Sequence, residues 1–551
     1  MIDYTENNTR KKTSQTEAIL GREKEMISNN AGGVVFAADK WTILNRFLIL
    51  GSEGGSYYTI QKDLTKANTS NLRECIKEDG LRTLQVVIDI SVAGRAPRND
   101  QAIFAMAMLM TFGAKEVRIT TGENLSKVCR IGTHLFMYAH YINALRGWGS
   151  VIRKSVSSWY NDKDIQKLQY QVLKYQGRQI EKSGNKWTHK DVLRLAHVKP
   201  KNDDYNDVFK YVVNGTYNEK NDLISAVEEL KATDNIKHAI ALIDEYNLPH
   251  ETWPTELKNV PEVWGIALPS MPMNATIRNL GKLSSMGLLG NLSKNTEVVI
   301  DKIGNKEAIL KSRIHPMQIL TAMAVYQNGQ GVKGKLSWAV TSKIVDALNE
   351  GFYTAFGNVK KTGKNHLLAL DVSRSMGAKI SGSELISCRV ASAAMALITA
   401  NVEDNYEFIG FTSSGKNYMN TGSGQSWASQ GVSLLSISPK QRLDDVIKYI
   451  SRMDFGGTDC ALPMIYAEKN KLNVDSFFVY TDNETWAGGI QPSQALKSYR
   501  KAINPSAKLG VIGMIANDFT IADPKDSGMI DFVGFDSSTP QILSAFTLDE
   551  I

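Results

Sequence analysis

The feature that most constrains this chain is a change of pattern near residue 363. Before it, apolar residues recur at helical spacing for more than 300 residues, interrupted only by short polar turns. Leu81, Leu84, Val87 and Ile88 mark one helical face. The turn Gly94–Asp100 follows, and Gln101–Phe112 forms the next helix, with Asn99 or Asp100 as its N-cap. The rhythm returns at Leu135–Leu145 with Val151–Tyr160, at Ile165–Gln176 with Lys190–His197, and at Leu223–Leu230 with Ile236–Tyr246. No run in this stretch reads as a strand. Helical hairpins in such number exceed one bundle core, so the pattern predicts a solenoid in which each pair packs on its neighbours.

After residue 363 strands alternate with helices. His366–Leu370, Tyr406–Phe411, Ser476–Tyr480, Leu509–Ile515 and Ile530–Phe535 read as strands; Glu384–Thr399, Arg442–Met453 and Gln494–Ala502 read as helices. That order predicts a parallel sheet covered on both faces, a doubly wound α/β domain. The expected organisation is a flexible lead-in over 1–30, a helical domain over 31–362 and the α/β domain over 363–551. Lys360–Lys364 is a basic linker, and the Gly/Ser/Asn-rich stretch 413–430 is an exposed loop.

Composition narrows the class. Hydrophobic residues make up 42% of the chain and charged residues 22%, which suits a soluble globular protein. No apolar run approaches the roughly 20 residues of a membrane span; the longest candidate is Ala391–Ala400. Met1–Asn30 is polar and lacks an apolar signal core, and Cys75, Cys129, Cys388 and Cys460 are too scattered for zinc or a disulfide scaffold. The expectation is a cytoplasmic protein with reduced thiols and no membrane partner. The net charge of +7 is unevenly shared: residues 1–362 carry +11 and residues 363–551 carry −4. A polyanionic partner for the helical part accounts for that asymmetry.

Within the α/β domain, oxygen donors collect at the carboxyl ends of strands, where open α/β sheets bind ligands. Asp371, Ser373 and Ser375 alternate after the first strand, Thr458 lies in Asp454-Phe455-Gly456-Gly457-Thr458-Asp459, and Asp482 follows Thr481 after a later strand. A hard-oxygen set without sulfur or imidazole suits Mg²⁺ or another divalent cation that keeps an open position for a partner's carboxylate or phosphate. The five residues resemble the metal-ion-dependent adhesion site (MIDAS) of von Willebrand factor A domains. The resemblance covers about 363–551 and implies a binding module rather than an enzyme. No second carboxylate cluster and no Ser-His-Asp or Cys-His grouping argues for catalysis.

In the helical part, arginines sit beside glycines and aromatics: Arg46 ahead of the Gly51–Tyr58 stretch with Tyr57 and Tyr58, Arg95 and Arg98 in one turn, and Arg146 before Gly147-Trp148-Gly149. Arginine forks suit phosphates, and aromatics stack bases. Lys167, Gln171, Lys174 and Arg178 fall at i, i+4, i+7 and i+11, one helical stripe. Thr188-His189-Lys190-Asp191 has the spacing of a capping box, and the helix it opens carries Lys190, Arg194 and His197 on one face before Pro200. Two basic stripes on neighbouring helices suit a folded RNA backbone.

Taken together, Arg46–Gly51 with Glu53-Gly54-Gly55, Ser91–Arg98, Gly147-Trp148-Gly149, Lys190–His197, Met271-Pro272-Met273 and Ile277–Lys282, which includes Arg278, resemble the Ro ribonucleoprotein autoantigen family. Its helical part is called the TROVE domain, and it also ends in a von Willebrand A domain. The resemblance, to a bacterial-type member, spans about 30–551. It implies a monomeric ring of HEAT-like repeats closed by the A domain. Small noncoding Y-like RNAs would bind the outer surface, and single-stranded 3′ ends of misfolded RNA would enter a basic central hole. It also implies a 3′ exoribonuclease as a further partner and a role in RNA quality control. The family's Y RNA contacts fall on Lys174, Arg178 and His197. One departure is the stretch Gln179–Lys186, longer than the short joint such a protein would have, which adds Lys182 and Lys186. The alternative is a metal-dependent protein-interaction module on a helical scaffold with no RNA role.

Overall fold

The computed structural model describes every residue except 1–11, 53–58, 60, 180–185, 220–221, 333, 358, 381–384, 414–425, 428–430 and 452–456. The chain divides into two compact units, one of residues 1–71 with 356–551 and one of residues 72–355.

The first unit is built on a seven-stranded sheet. Its strands are β5 (His366–Asp371), β6 (Tyr406–Phe411), β7 (Ser426–Trp427), β8 (Val432–Leu434), β9 (Ser476–Thr481), β10 (Lys508–Gly513) and β12 (Met529–Val533), ordered β12-β10-β9-β5-β6-β8-β7. The five long strands run parallel, as their continuous apolar sequences predict. At one edge the sheet is mixed, with β8 antiparallel to β6 and β7 antiparallel to β8. β5 and β9 are buried along their full length. The apolar run near Ala391–Ala400 lies on the helix Cys388–Val402, whose residues from Cys388 to Ala400 are all buried, so it is a core helix. Among the described residues no helix is long and apolar enough to cross a membrane.

The expectation of a flexible lead-in over 1–30 does not hold for residues 12–30. β1 (Met26–Ser28) pairs with β2 (Val34–Ala37), and β2 pairs with β11 (Phe519–Thr520). Gln15 is fully buried. Its Nε2 donates to Asp459 Oδ1 at 2.6 Å and to the Ile490 carbonyl at 3.0 Å, while its Oε1 accepts from Thr485 and from the Gly488 N–H. A polar segment therefore orders because its hydrogen bonds are completed by residues more than 440 positions away.

The helix Lys40–Leu50, capped by Asp39, belongs to this unit and carries Arg46 into its core. Arg46 is fully buried. Its Nη1 donates to Asn517 O at 2.9 Å, Asn517 Oδ1 at 2.8 Å and Phe519 O at 2.8 Å, and its Nη2 pairs with Asp531. The expectation that Arg46 meets RNA is corrected: its guanidinium is spent on the fold.

The second unit is helical repeats. The helix Gln61–Ala93, which begins in the first unit, breaks at Asp79 (φ −148°, ψ 88°). Beyond it, Asp100–Phe112 packs on Gly132–Leu145, Lys115–Glu123 on Ser150–Asn161, and Ser150–Asn161 on His189–Ala196. Ile165–Lys174 packs on Asp203–Asn214 and Asp222–Ala232, Ile236–Tyr246 on Pro261–Ala267, and Pro316–Gln327 on Ser342–Thr354. Helices pack on neighbours close in sequence, either the next helix or one a repeat away, the contact pattern of a solenoid. Its late segment then meets its early one. His315 Nε2 lies 3.0 Å from the Arg95 carbonyl, Gln318 Nε2 donates to the Pro97 carbonyl at 2.9 Å, and Arg313 Nη1 to the Val92 carbonyl at 3.3 Å.

Replacing Arg46 with methionine leaves Asp531 buried without its cation. Denaturant unfolding is expected to show a loss of about 3–5 kcal/mol. An unchanged midpoint would remove Arg46 from the core's supports.

Candidate nucleic-acid face and metal centre

The helix Ile165–Lys174 starts where Asp164 accepts from the backbone of Gln166 and Lys167. It buries Leu168, Val172 and Leu173, which leaves Lys167 exposed. Gln171 is turned inward, its Oε1 accepting from the Gly132 N–H at 2.9 Å. Lys174 is mostly covered, with 13% of its side chain exposed. Its Nζ lies 3.5 Å from Glu251 Oε1 and 5.5 Å from the centroids of both Tyr170 and Tyr175. Burial works against this ammonium, but Tyr175, Tyr170 and Glu251 outweigh it and its pKa is raised.

The four-residue stripe ends there. The helix closes at Lys174 with Tyr175 as its C-cap, and Arg178 lies in β3 (Gly177–Gln179), paired with Trp187 of β4 (Lys186–Thr188). The two ends of the long connection thus pair as antiparallel strands, and residues 180–185, with Lys182, lie outside the described residues. Glycine at 177 and the short pairing segments were too brief for any two-residue alternation to register as strands. Tyr57 and Tyr58 also lie outside the described residues.

β4 delivers the chain to the helix His189–Ala196. Thr188 and Asp191 form the expected capping box. Arg194 and His197 are exposed and Lys190 is half-buried. His197 ends the helix in the left-handed region (φ 50°, ψ 45°), a conformation more often taken by glycine. Its neighbour His189 is a different case. It is buried, its Nδ1 lies 2.7 Å from the Tyr160 hydroxyl, and burial lowers its pKa to about 3. Gly132 locks this corner: a Cβ there would lie 2.7 Å from Tyr175 Cβ and 2.9 Å from His189 Nε2. The end of one basic helix and the start of the other therefore meet around one glycine.

The remaining arginines have separate surroundings. Arg98 pairs with Asp100, Arg146 Nη1 donates to the Met110 and Thr111 carbonyls at 3.3 and 3.1 Å, and Arg278 is exposed on the helix Met273–Ser285. Arg95 is half-buried in the turn whose carbonyl faces His315.

The second cluster forms where β5 and β9 end. Asp371, Ser373, Ser375, Thr458 and Asp482 are all buried. Asp371 Oδ1 accepts from the Ser373 N–H at 2.9 Å and its Oδ2 from Thr481 Oγ1 at 2.7 Å. The Ser373 and Ser375 hydroxyls are 3.1 Å apart, and Ser375 also bonds the Asp482 carboxylate. Burial, then mutual repulsion with Asp371 and Glu484, pushes the Asp482 pKa well above the usual carboxylate range; burial raises that of Asp371 as well. Thr458 Oγ1 and Asp482 Oδ2 are buried without a hydrogen-bond partner. Two facing carboxylates with an unbonded carboxylate oxygen and an unbonded hydroxyl form a donor set that fits a hard divalent cation. Among the described residues no group of three or more His, Cys, Asp or Glu side chains accompanies it.

Sequence reasoning missed what supports this loop. Glu484 accepts from Asn30 Nδ2 at 2.8 Å and from the Ala31 N–H at 3.0 Å, and Asn29 Nδ2 donates to the Thr485 carbonyl at 2.8 Å. Burial pushes the Glu484 carboxyl up to about 7. The N-terminal segment thus fixes the residues that follow Asp482.

Comparison with known proteins agrees across the whole chain. The TROVE domain family matches residues 27–325 and the Ro60 vWA domain family residues 365–547. The RNA-binding protein RO60 of Deinococcus radiodurans is 36% identical over 98% of this chain and 97% of its own length. The RNA-binding protein RO60 of Caenorhabditis elegans is 32% identical, covering 95% of this chain and 90% of its own. The chain belongs to the Ro60 family. The crystal structure of the Deinococcus radiodurans RO (RSR) protein superposes with a TM-score of 0.67 at 35% identity, covering 93% of this chain and all of that one. The Ro60 fold expected from sequence, helical repeats together with a von Willebrand A domain, is the fold observed.

Like Arg313, Lys471 and Asp549, His197 is an exposed non-glycine residue held at positive φ. His197→Gly is expected to raise stability by up to about 1 kcal/mol, because the backbone strain is relieved. Thermal unfolding checks this, and a loss of stability would mean that the imidazole is part of the helix's support.

Proposed function

We propose that this chain is the RNA-binding scaffold of a Ro-type ribonucleoprotein. The observation that carries the reading is the pair of helices joined through the paired strands β3 and β4. They offer exposed Lys167, Arg194 and His197 beside the half-buried Lys190 and the held cation of Lys174. Two relatives that cover nearly the whole chain are named RNA-binding proteins, which supports it. In this reading a Y-like noncoding RNA lies on Lys174, Arg178 and His197, with Lys167, Lys190 and Arg194 as further phosphate contacts. Single-stranded 3′ ends of misfolded RNA, bound in a basic central hole, are the second ligand. Arg95, Arg98, Arg146 and Arg278 are the remaining candidate contacts. The protein acts by binding rather than by catalysis, as a monomer in the cytoplasm, and a 3′ exoribonuclease is a further partner in RNA quality control.

Affinity on such a face comes mainly from phosphate neutralisation and counterion release, while RNA shape supplies selection. Lys174→Ala combined with Arg178→Ala is expected to weaken binding of a Y-type RNA and to reduce the slope of log K against log salt by up to about 2. Gel-shift titrations at several salt concentrations test this; an unchanged affinity and slope would reject the assignment.

We further propose that Asp371, Ser373, Ser375, Thr458 and Asp482 hold Mg²⁺ or another divalent cation. The unbonded Thr458 and Asp482 oxygens support it. A bound cation would offset the repulsion between the two aspartates and present an open coordination position to an oxygen donor of a partner. The same oxygens favour the second reading, a metal-dependent protein-interaction module with no RNA role; purification free of nucleic acid, with no gel shift, would select it. Saturating Mg²⁺ at about 100 times its Kd is expected to add about 2.7 kcal/mol of stability. Thermal melts with Mg²⁺ and with EDTA measure it, and Asp482→Asn is expected to abolish the difference. Equal melting temperatures in the unsubstituted protein would refute the metal assignment.

A further inference from the structure

A hollow of about 330 Å³ opens beside the helix Ile165–Lys174, lined by Arg130, Lys163, Gln166, Lys167, Tyr170 and Gln171. Three of these six residues are cations and none is a carboxylate. Arg130 is fixed through Nη1 alone, which donates to the Ser91 carbonyl at 3.0 Å, the Ser91 hydroxyl at 2.9 Å and the Lys127 carbonyl at 3.0 Å. Its other guanidinium nitrogens make no hydrogen bond among the described residues. Lys163 Nζ stands 3.5 Å over the Trp159 ring and donates to the Trp159 carbonyl at 3.0 Å. The same indole donates to the carbonyl of Cys129, the residue before Arg130. One buried tryptophan thus positions both cations in advance.

The charge balance at this place is one-sided. Neither Arg130 nor Lys163 enters an ion pair among the described residues. Arg313 adds a further positive field at Arg130, and Asp162 is the one carboxylate that favours the charge of Lys163, beside the buried Cys129 thiol. Asp164 is committed to the helix cap. Burial lowers the Lys163 pKa to about 8, the cost of holding an ammonium there without a close carboxylate. Half-buried cations in a concave site, with spare donors and no carboxylate in the lining, are the arrangement an oxyanion completes.

We infer that this hollow is a phosphate-binding pocket that takes one nucleotide, its phosphate held by Arg130, Lys163 and Lys167 and its base laid against Tyr170. The volume is at the lower end for small-ligand sites and admits one nucleotide rather than a helical stem. Gln166 supplies an amide for the sugar or base. Gln171 is already engaged with Gly132 and serves as a wall. The pocket shares Lys167 with the Y-type reading but rests on Arg130 and Lys163, which that reading does not use.

The test uses the full chain freed of nucleic acid by a high-salt wash. Calorimetric titrations at constant ionic strength compare adenosine 5′-monophosphate, inorganic phosphate and adenosine. The monophosphate is expected to saturate one site and adenosine to bind at least about tenfold more weakly, because the charge-assisted hydrogen bonds are lost. Lys163→Met keeps the stem over Trp159 and removes the charge; Lys167→Ala changes an exposed residue. Each is expected to weaken the monophosphate about tenfold. Lys174→Ala is expected to leave it within about twofold while weakening Y-type RNA, so the failure of one reading is distinguishable from the failure of the other. Displacement of the monophosphate by a 5′-phosphorylated RNA hexamer, but not by its unphosphorylated form, supports the pocket and assigns it to RNA ends. Displacement by neither supports it and assigns it to free nucleotides. Equal binding of adenosine and its monophosphate, or unchanged affinity in both lysine variants with the fold intact by circular dichroism, overturns it.

Discussion

The constraint on which the rest of this structure depends is that the chain returns to where it began. Residues 12–71 are built into the same unit as residues 356–551, and 284 residues of helical repeats run between them. Closing a flexible loop of that length would cost on the order of 5 kcal/mol of chain entropy. Two sets of polar contacts meet this demand, the first buried and the second partly exposed. In the α/β unit, Arg46 and Gln15 tie the early segment to residues from 459 to 531. In the helical unit, Gln318 and Arg313 bind carbonyls of the 92–97 turn, and His315 faces another. The late repeats therefore reach the early ones through their own hydrogen bonds, not only through the covalent chain.

This arrangement bears directly on the candidate metal centre. Asp482 and Glu484 stand on a loop whose position is not set by the sheet alone. Asn29, Asn30 and Gln15 reach its carbonyls, carboxylate and hydroxyl from the opposite end of the sequence. Burying acidic groups in this way is costly unless each oxygen is answered. Glu484 is answered by the N-terminal segment, and Asp371 by Thr481 and the Ser373 backbone. Asp482 Oδ2 and Thr458 Oγ1 are the exceptions, which gives the cluster its polarity and locates where a cation would be held.

Much of this was legible in the sequence because it rests on local periodicity. The helix read at Ile236–Tyr246 has those bounds, β6 matches Tyr406–Phe411, and the Thr188–Asp191 capping box forms. What escaped depends on distant partners or on very short pairings. Arg46 reads as a surface cation because its acceptors lie 471 to 485 residues away. Arg178 reads as the end of a helical stripe because three-residue strands carry no periodic signal. The polar segment 12–30 reads as unstructured because polarity usually means solvent; here its Gln15, Asn29 and Asn30 form hydrogen bonds to a loop. Arg130 and Lys163 escaped because a basic pocket is a property of convergence, and they lie 33 residues apart in sequence with Trp159 between them.

The two ends of the helix Ile165–Lys174 treat positive charge in opposite ways. At Lys174, Glu251 and two tyrosines surround the ammonium, so a phosphate arriving there must displace an existing carboxylate contact. Such a residue contributes more to orientation than to net affinity, because much of its Coulomb energy is already realised in the free protein. Toward the start of the helix, Arg130, Lys163 and Lys167 face a hollow with no carboxylate on its wall. There, under the proposed reading, an anion would displace no carboxylate from the wall and would offset the cost of burying the Lys163 charge. One short amphipathic helix, fixed by Leu168, Val172 and Leu173 in the core, thus holds Lys174 against a carboxylate and leaves Lys167 on an open hollow, which under the two proposals separates positioning a ligand from attracting one.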